Sequence, residues 1–195
     1  MIKICGITRP EDAECAVTHG ADAIGVIMYS DSRRSVDMQR AQEIFSAAGP
    51  GVMKVVVTHT RSEDDIKKIL SLRPDAIQVS HPFTFPPGRP YKVIRVAGST
   101  KDGYEDYDAL IIDGSMGSGT LFNCSFAEET VKKSSRPVYL AGGLTPDNVA
   151  DAIRTIRPSA VDVASGVETS PGIKNCEKVR KFIENARAAE KEEHY

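Results

Sequence analysis

Two side chains far apart in the chain could exchange protons with a small substrate. Cys5 lies in an apolar segment near the start of the chain and is followed by Gly6, whereas Asp113 ends the apolar run Leu110–Ile112. A thiolate can act as a general base, and a carboxyl group with a raised pKa can act as a general acid. The plainer interpretations are that Cys5 is a small buried apolar side chain and that Asp113 starts a turn.

Two glycine-containing segments in the second half of the chain could hold a phosphate group. Gly142 and Gly143 follow an apolar run that ends at Ala141, and Ser165 and Gly166 follow another apolar run. Glycines let backbone N–H groups approach an anion closely. The presence of two such segments favours a phosphate site over the alternative, which is a pair of tight turns.

An arginine, a glutamine and two histidines are further candidates. Arg34 adjoins Arg33, and such a pair is most often a solvated charge cluster, but an arginine beside a site could bind a carboxylate through two hydrogen bonds. Gln78 lies near the end of another apolar run and is a candidate for substrate binding. His59 and His81 also follow apolar runs, but a metal site needs a third ligand, and we predict no metal.

Eight short apolar runs carry or adjoin these residues. The runs are rich in valine and isoleucine and almost continuously apolar, which is typical of strands covered on both faces by helices. They predict strands at Ile2–Ile7, Ala23–Met28, Met53–His59, Ala76–Ser80, Tyr91–Gly98, Ala109–Asp113, Val138–Ala141 and Ala160–Ser165.

Amphipathic stretches between these runs predict helices. Thr8 is the expected N-cap of the first helix, and Pro10 lies in its first turn. The segment His81–Pro90 contains four prolines and cannot be a regular helix, and Gly98–Tyr107 has room for about one helical turn. The predicted helices are Pro10–His19, Asp37–Ala48, Ser62–Leu72, Ser125–Ser134, Thr145–Ile156 and Asn175–Ala188.

Alternating strands and helices predict parallel strands joined by right-handed crossovers. Eight strands favour a closed barrel over an open doubly wound sheet of five or six strands. A chain of 195 residues is near the lower limit for such a barrel, which is about 200 residues. We therefore predict the α/β class, with residues 1–195 forming a single compact (β/α)8 TIM barrel with shortened fourth and fifth helical connections.

The barrel predicts where the candidate residues lie relative to one another. Active sites of this fold lie at the C-terminal ends of the strands, where Cys5 and Asp113 could face each other across the mouth. Lys3 has the same parity in the first strand as Cys5, so it should point into the barrel and could pair with Asp162 on the neighbouring eighth strand.

Charge and cysteine content exclude several classes of protein. A net charge of −2 argues against a dedicated nucleic-acid binder, and no apolar run reaches the length that a membrane span needs. The first residues lack the features of a signal peptide. The four cysteines contain no C-x-x-C pair, and a chain of this length does not need a disulfide scaffold. We expect a soluble cytoplasmic protein with reduced thiols, without nucleic-acid or membrane partners.

Several segments together resemble the phosphoribosylanthranilate isomerase family, from Lys3 to about Phe182. The first segment, Lys3-Ile4-Cys5-Gly6-Ile7-Thr8, and the last, 160–168, are highly specific in this order. The Gly-Gly-Leu sequence alone would be weak, because other phosphate-binding barrels share it. The remaining matching segments are 20–25, 32–36, 76–79 and 142–149.

The resemblance implies an Amadori rearrangement of N-(5-phosphoribosyl)anthranilate in tryptophan biosynthesis, without a metal or an organic cofactor. The family's catalytic cysteine and aspartate fall on Cys5 and Asp113, and its anthranilate-binding arginine falls on Arg34. The expected partner is a small phosphoribosyl substrate, and we expect a monomer or a homodimer. The residues expected to bind substrate are Arg34, Gln78, Gly142, Gly143, Ser165 and Gly166.

Three segments depart from the family's pattern. After strand four the family's Gln-Leu-His-Gly is replaced by residues 78–82, where the histidine is displaced by one position and the glycine is lost, and after strand three its Phe-Val-Asn is replaced by residues 57–59. Residues 114–124 are shorter than the family's usual loop and lack its Asp-Trp end, so we expect an open mouth.

Two other functions compete with this one. The related histidine-pathway isomerase has aspartates at strands one and five, where this chain has Cys5 and Val96–Gly98. A barrel that binds a phosphorylated metabolite without catalysis is the other alternative, and loss of Cys5 or Asp113 would have favoured it.

Overall fold

Eight parallel strands close into a barrel in chain order, as the alternation of apolar runs predicts. The computed structural model describes residues 1–97, 106–113 and 124–192. β1 pairs with both β2 and β8, which closes the sheet. The strands are β1 Ile2–Ile4, β2 Ala23–Met28, β3 Met53–Thr58, β4 Ala76–Val79, β5 Lys92–Val96, β6 Ala109–Asp113, β7 Val138–Ala141 and β8 Ala160–Val163.

Helices cover the outside of the barrel. The fourth connection, residues 80–91, contains no helix, as its prolines predict, whereas most of the fifth connection lies outside the described residues. No helix in the described ranges is both long enough and apolar enough to cross a membrane. The helices are α1 Pro10–Thr18, α2 Met38–Ala48, α3 Glu63–Ser71, α4 Cys124–Lys133, α5 Val149–Ile156 and α6 Cys176–Glu192.

The segment between β8 and α6 contains structure that the sequence did not predict. A short 3₁₀ helix over Ser165–Val167 leads into a hairpin of β9 Glu168–Ser170 and β10 Ile173–Lys174. These strands are very short, and they lack the apolar alternation that predicts a strand. The hairpin brings Glu168 and Lys174 back over the end of the barrel.

One predicted helix cap and one predicted helix start differ from the structure because side chains bind elsewhere. Thr8 does not cap α1, whose N-cap is Arg9; instead the Thr8 hydroxyl donates a hydrogen bond to the Gly172 carbonyl at 2.5 Å. α5 begins at Val149 rather than Thr145, because the Asn148 side chain folds the preceding turn. Its Oδ1 accepts from the Thr145 N–H at 2.8 Å, and its Nδ2 donates to the Gly143 carbonyl at 3.0 Å.

Alternation along the strands separates an outer core from the barrel interior. In β1, Ile2 and Ile4 point outward and pack among the residues that contact the helices, whereas Lys3 and Cys5 point inward. Alanine is the commonest of the inward apolar residues, because eight tilted strands leave a narrow interior. The inward apolar residues are Cys5, Ala23, Ile27, Val55, Val57, Ala76, Ile94, Ala109, Ile111, Tyr139, Ala141 and Ala160.

The expectation that all four cysteines are reduced thiols is wrong for two of them. Cys15 on α1 and Cys176 at the start of α6 form a disulfide, with their Cα atoms 6.0 Å apart and a sequence separation of 161. Closure of the barrel packs α6 beside α1, and this brings the two sulfurs together. Cys5 and Cys124 are free cysteines.

Candidate active site

Cys5 lies directly after β1, at the C-terminal end of the barrel strands. Its backbone N–H donates to the Val163 carbonyl of β8 at 2.8 Å, and its side chain is only 6% exposed. Gly6 follows with φ of +68°, and a Cβ atom there would lie 2.7 Å from Cδ of Arg34. Glycine at this position therefore lets the Arg34 side chain cross the loop beside Cys5.

Lys3 forms the predicted pair with Asp162 in the barrel interior. The two residues are register partners on β1 and β8, and Nζ of Lys3 donates to Oδ2 of Asp162 at 3.0 Å. Nζ also donates to Oε1 of Gln78 at 3.0 Å. Gln78 was expected to bind substrate; in the structure it lies beneath the mouth and accepts a hydrogen bond from a fully buried ammonium group.

The charges around Cys5 have opposing effects on its ionisation. Burial raises the pKa of the Cys5 thiol, and the negative charge of Asp162 raises it further, whereas the ammonium groups of Lys3 and Lys174 oppose this rise. Although burial alone would lower the pKa of Lys3, its pairing with Asp162 raises that pKa, so Lys3 is a cation. The Cys5 thiol thus has both cationic and anionic neighbours in the barrel interior.

Arg34 and Glu168 form a two-point ion pair beside this thiol. Nε and Nη2 of Arg34 donate to Oε1 and Oε2 of Glu168 at 2.8 Å and 2.7 Å. Glu168 also accepts from Nζ of Lys174 at 2.9 Å, and Lys174 donates to the Ala164 carbonyl at 3.1 Å. Burial opposes ionisation of Glu168, but the bonds from Arg34 and Lys174 outweigh it and lower the pKa of Glu168.

The sequence analysis assigned no role to Glu168 or Lys174. Glu168 is the last residue of segment 160–168, which carries the family resemblance, so the sequence marks Glu168 as a candidate. The sequence does not show that Glu168 pairs with Arg34. Lys174 lies in a polar segment without periodicity. Only the hairpin of β9 and β10 shows that both residues return to the loop that carries Arg34.

The two predicted glycine loops lie in contact at the barrel mouth. Gly142 and Gly143 adopt φ of +90° and +70°, a region that disfavours other residues. A Cβ atom on Gly166 would lie 1.9 Å from the Leu144 carbonyl oxygen, so only glycine permits this approach of the loop after β8 to the loop after β7. Ser165 is exposed beside them. The two loops thus form one surface of closely packed backbone.

Asp113 ends β6 at the same end of the barrel as Cys5. It has the same parity as Ala109 and Ile111, which point into the barrel, and its side chain is exposed. The negative charge of Asp113 acts to raise the pKa of Asp162 in the barrel interior. Residues 114–123, which include the shortened loop, lie outside the described residues.

Neither histidine that follows a strand belongs to a cluster of metal ligands in the described ranges. Nδ1 of His59 lies 2.9 Å from Oγ of Ser30, and burial lowers the pKa of His81. Within those ranges the cluster of three candidate ligands is Cys15, His19 and Cys176, which lies on the outer helices. Two of its three ligand atoms are already joined in the disulfide.

Comparisons with known proteins find one family over nearly the whole chain. A family model described as N-(5'-phosphoribosyl)anthranilate (PRA) isomerase matches residues 2–81 and 91–185. A protein of Methanoregula boonei named N-(5'-phosphoribosyl)anthranilate isomerase is 60% identical over 190 residues, covering 97% of each chain. A protein of the same name from Trichlorobacter lovleyi is 40% identical over 203 residues, covering 96% of this chain and 98% of its own.

Solved structures show the same similarity. The crystal structure of phosphoribosyl anthranilate isomerase from Thermotoga maritima superposes with a TM-score of 0.81 at 31% identity, covering 96% of this chain and 98% of its own. A phosphoribosyl anthranilate isomerase in complex with reduced 1-(o-carboxyphenylamino)-1-deoxyribulose 5-phosphate superposes with a TM-score of 0.80 at 31% identity and the same coverage.

Proposed function

The chain belongs to the N-(5'-phosphoribosyl)anthranilate isomerase family, and from this premise we propose that Cys5 and Asp113 catalyse the Amadori rearrangement of N-(5'-phosphoribosyl)anthranilate at its barrel mouth. The product is 1-(2-carboxyphenylamino)-1-deoxyribulose 5-phosphate, an intermediate of tryptophan biosynthesis. The observation that carries the assignment of roles is that a buried thiol after β1 and an exposed carboxylate at the end of β6 lie at one end of the barrel, on inward positions.

Asp113 is the general acid in the first step. Its carboxyl group donates a proton to the furanose ring oxygen, the bond from that oxygen to C1 breaks, and the anilino nitrogen supplies the electron pair that forms the Schiff base. The exposure of Asp113 at the mouth supports this role, because an acid that exchanges protons must reach both substrate and solvent.

Cys5 is the general base in the second step. Its thiolate removes the proton from C2 of the sugar, and the electrons of that bond move toward the iminium nitrogen to give an enolamine. The enolamine then tautomerises to the ketone. Burial of Cys5 excludes water from this proton transfer, and the ammonium groups of Lys3 and Lys174 favour the thiolate.

The two charged ends of the substrate have separate binding elements. The backbone of the loops after β7 and β8, at Gly142, Gly143, Ser165 and Gly166, binds the phosphate, since their close packing exposes peptide groups to an anion. Arg34 binds the anthranilate carboxylate with N–H donors that do not contact Glu168. Gln78 acts from beneath through Lys3 rather than by direct contact with substrate.

Loss of phosphoribosylanthranilate fluorescence tests the function, with product detection as confirmation. We expect the purified protein to catalyse the reaction, and Cys5→Ser and Asp113→Asn each to lower kcat/KM by about 10³-fold or more. The matched controls are Cys124→Ser and Asp151→Asn, which change an exposed cysteine and an exposed aspartate on the outer helices α4 and α5. Full activity in both Cys5→Ser and Asp113→Asn would refute the proposed roles.

Assembly and location form the remaining part of this proposal. We propose a monomer or homodimer that acts in the cytoplasm on a small phosphoribosyl substrate. A related structure from Thermotoga maritima is described as monomers generated from a dimeric enzyme, so both states occur for that protein. Analytical ultracentrifugation distinguishes the two states, and cell fractionation tests the location.

A further inference from the structure

The barrel interior contains a buried cation to which the proposed reaction gives no direct task. Lys3 is 0% exposed, and an ammonium group in such a place is unfavourable unless its N–H donors are satisfied. Its Nζ donates to Oδ2 of Asp162 and to Oε1 of Gln78, each at 3.0 Å. An ammonium group carries a third donor.

The Lys3 side chain also lies beside Cys5. Lys3 and Cys5 are both inward residues, two positions apart in the chain. The neighbouring residue on β2 is Gly25, which has no side chain to separate them. A Cβ atom on Gly25 would lie 2.9 Å from Sγ of Cys5 and 3.1 Å from Cε of Lys3, so the sulfur and the lysine side chain meet over this glycine. Across this contact the positive charge of Lys3 acts to lower the pKa of the Cys5 thiol.

We propose that Lys3 is a positioning residue whose ammonium group stabilises the Cys5 thiolate when it forms beneath the mouth, and that Asp162 and Gln78 orient Lys3 for this task. The proposal rests on the assignment of Cys5 as the base in the proposed function. Lys3 lies beneath the sulfur and acts on the reaction through Cys5, without contacting the substrate. Asp162 has a second, opposing effect, because its charge neutralises Lys3 and thereby limits the stability of the thiolate.

Charged groups reach this cluster from several elements. Lys174 of β10 and Arg34 of the loop after β2 are cations that act on Cys5 from above. Asp113 of β6 acts on Asp162, and the phenol of Tyr139 on β7 faces Lys3. Among these cations Lys3 acts most strongly to lower the pKa of Cys5, so we expect the largest effect from its removal.

The rate of thiol alkylation as a function of pH tests this role without the isomerase assay. In a Cys124→Ser background, Cys5 is the free thiol that reacts with iodoacetamide, because Cys15 and Cys176 are joined. We expect Lys3→Met to raise the pH midpoint of alkylation by about one unit, which slows the reaction at pH 7 about tenfold. Asp162→Asn removes the carboxylate that neutralises Lys3, so the Cys5 thiolate becomes the counter-ion of Lys3. We therefore expect the pH midpoint of Cys5 alkylation to fall by a similar amount in this variant.

Controls separate a specific role from a structural one. Lys92→Met removes the same charge from an exposed position at the start of β5 and should leave the midpoint unchanged. Lys3→Met should lower kcat while leaving KM close to its original value. Where Lys3→Met does not fold, Lys3→Gln decides the question, because it removes the charge but keeps a side-chain amide that can donate to Asp162, and a purely structural role predicts no rise of the midpoint. Unchanged midpoints in the folded variants overturn the proposal.

The outcomes also distinguish this proposal from the proposed function. Absence of isomerase activity in the unmodified protein would reject the reaction, yet the alkylation midpoints would still report whether Lys3 stabilises the thiolate. Conversely, full isomerase activity with equal midpoints in all variants would support the reaction and reject the role of Lys3.

Discussion

Glu168 holds Arg34 by two parallel hydrogen bonds, from Nε at 2.8 Å and from Nη2 at 2.7 Å, across 134 residues of sequence. The same carboxylate accepts from the buried Nζ of Lys174 at 2.9 Å. One anion between two cations leaves the cluster with a net positive charge, beside the mouth of the barrel. This arrangement fixes the plane of the guanidinium before any substrate carboxylate arrives, which reduces the entropy lost on binding.

Glu168→Gln should weaken substrate binding more than it slows catalysis. The amide keeps the shape of the side chain but loses its charge, so Arg34 is held less firmly and Lys174 lacks its counter-ion. We expect KM to rise about tenfold with a smaller change in kcat, as measured by steady-state kinetics. Glu177→Gln removes an exposed carboxylate that pairs with Arg180 and should change neither constant. Equal effects of the two substitutions would argue against a role for Glu168 in orienting Arg34.

The pH dependence of kcat/KM should show a rising limb that belongs to Cys5. Burial raises the pKa of this thiol, so the fraction of thiolate in the free protein is small at neutral pH and grows as the pH rises. We expect kcat/KM to increase toward alkaline pH, with a midpoint above the value of about 8.5 for an ordinary cysteine. A profile that is already level at neutral pH would contradict the assignment of a protonated resting thiol.

Gly166→Ala should separate the two glycine loops at the barrel mouth. Its Cβ atom would lie 1.9 Å from the Leu144 carbonyl oxygen, a backbone atom that cannot move without displacing the whole loop. We expect a higher KM and a loss of about 2–3 kcal/mol in the free energy of unfolding, as measured in urea. Gly20→Ala is the comparison, because φ is +91° there but no atom lies within 4 Å of the added methyl group. It should cost about 1 kcal/mol and leave KM unchanged, and matching losses would contradict the argument.

The barrel and its buried ion pair could be predicted from the sequence because both follow from local periodicity. Eight apolar runs define the strands, and the two-residue alternation along β1 and β8 is sufficient to place Lys3 against Asp162. The same pattern predicts that Cys5 points inward, but the predicted strand Ile2–Ile7 extends past Cys5, whereas in the structure Cys5 directly follows β1. These features depend on spacing within single elements and on the order of neighbouring strands.

Other features depend on contacts between elements whose spacing in sequence carries no signal. The partner of Arg34 is set by a hairpin of very short polar strands, and the disulfide by the packing of the first helix against the last. Thr8 has the residue type of a helix cap, but the Gly172 carbonyl competes successfully for its hydroxyl. In each case a tertiary contact overrides a reasonable local preference.

Replacing the Cys15–Cys176 disulfide should destabilise the protein. The bond ties α1 to α6 across 161 residues, so it restricts the unfolded chain far more than the folded one. We expect Cys15→Ser combined with Cys176→Ser to lower the free energy of unfolding in urea by about 2–4 kcal/mol, and reductant to have a similar effect on the unmodified protein. Cys124→Ser changes an exposed free thiol and should have little effect. Thiol titration of the unfolded, unreduced chain should detect only Cys5 and Cys124, and detection of all four cysteines would show that the bond does not form.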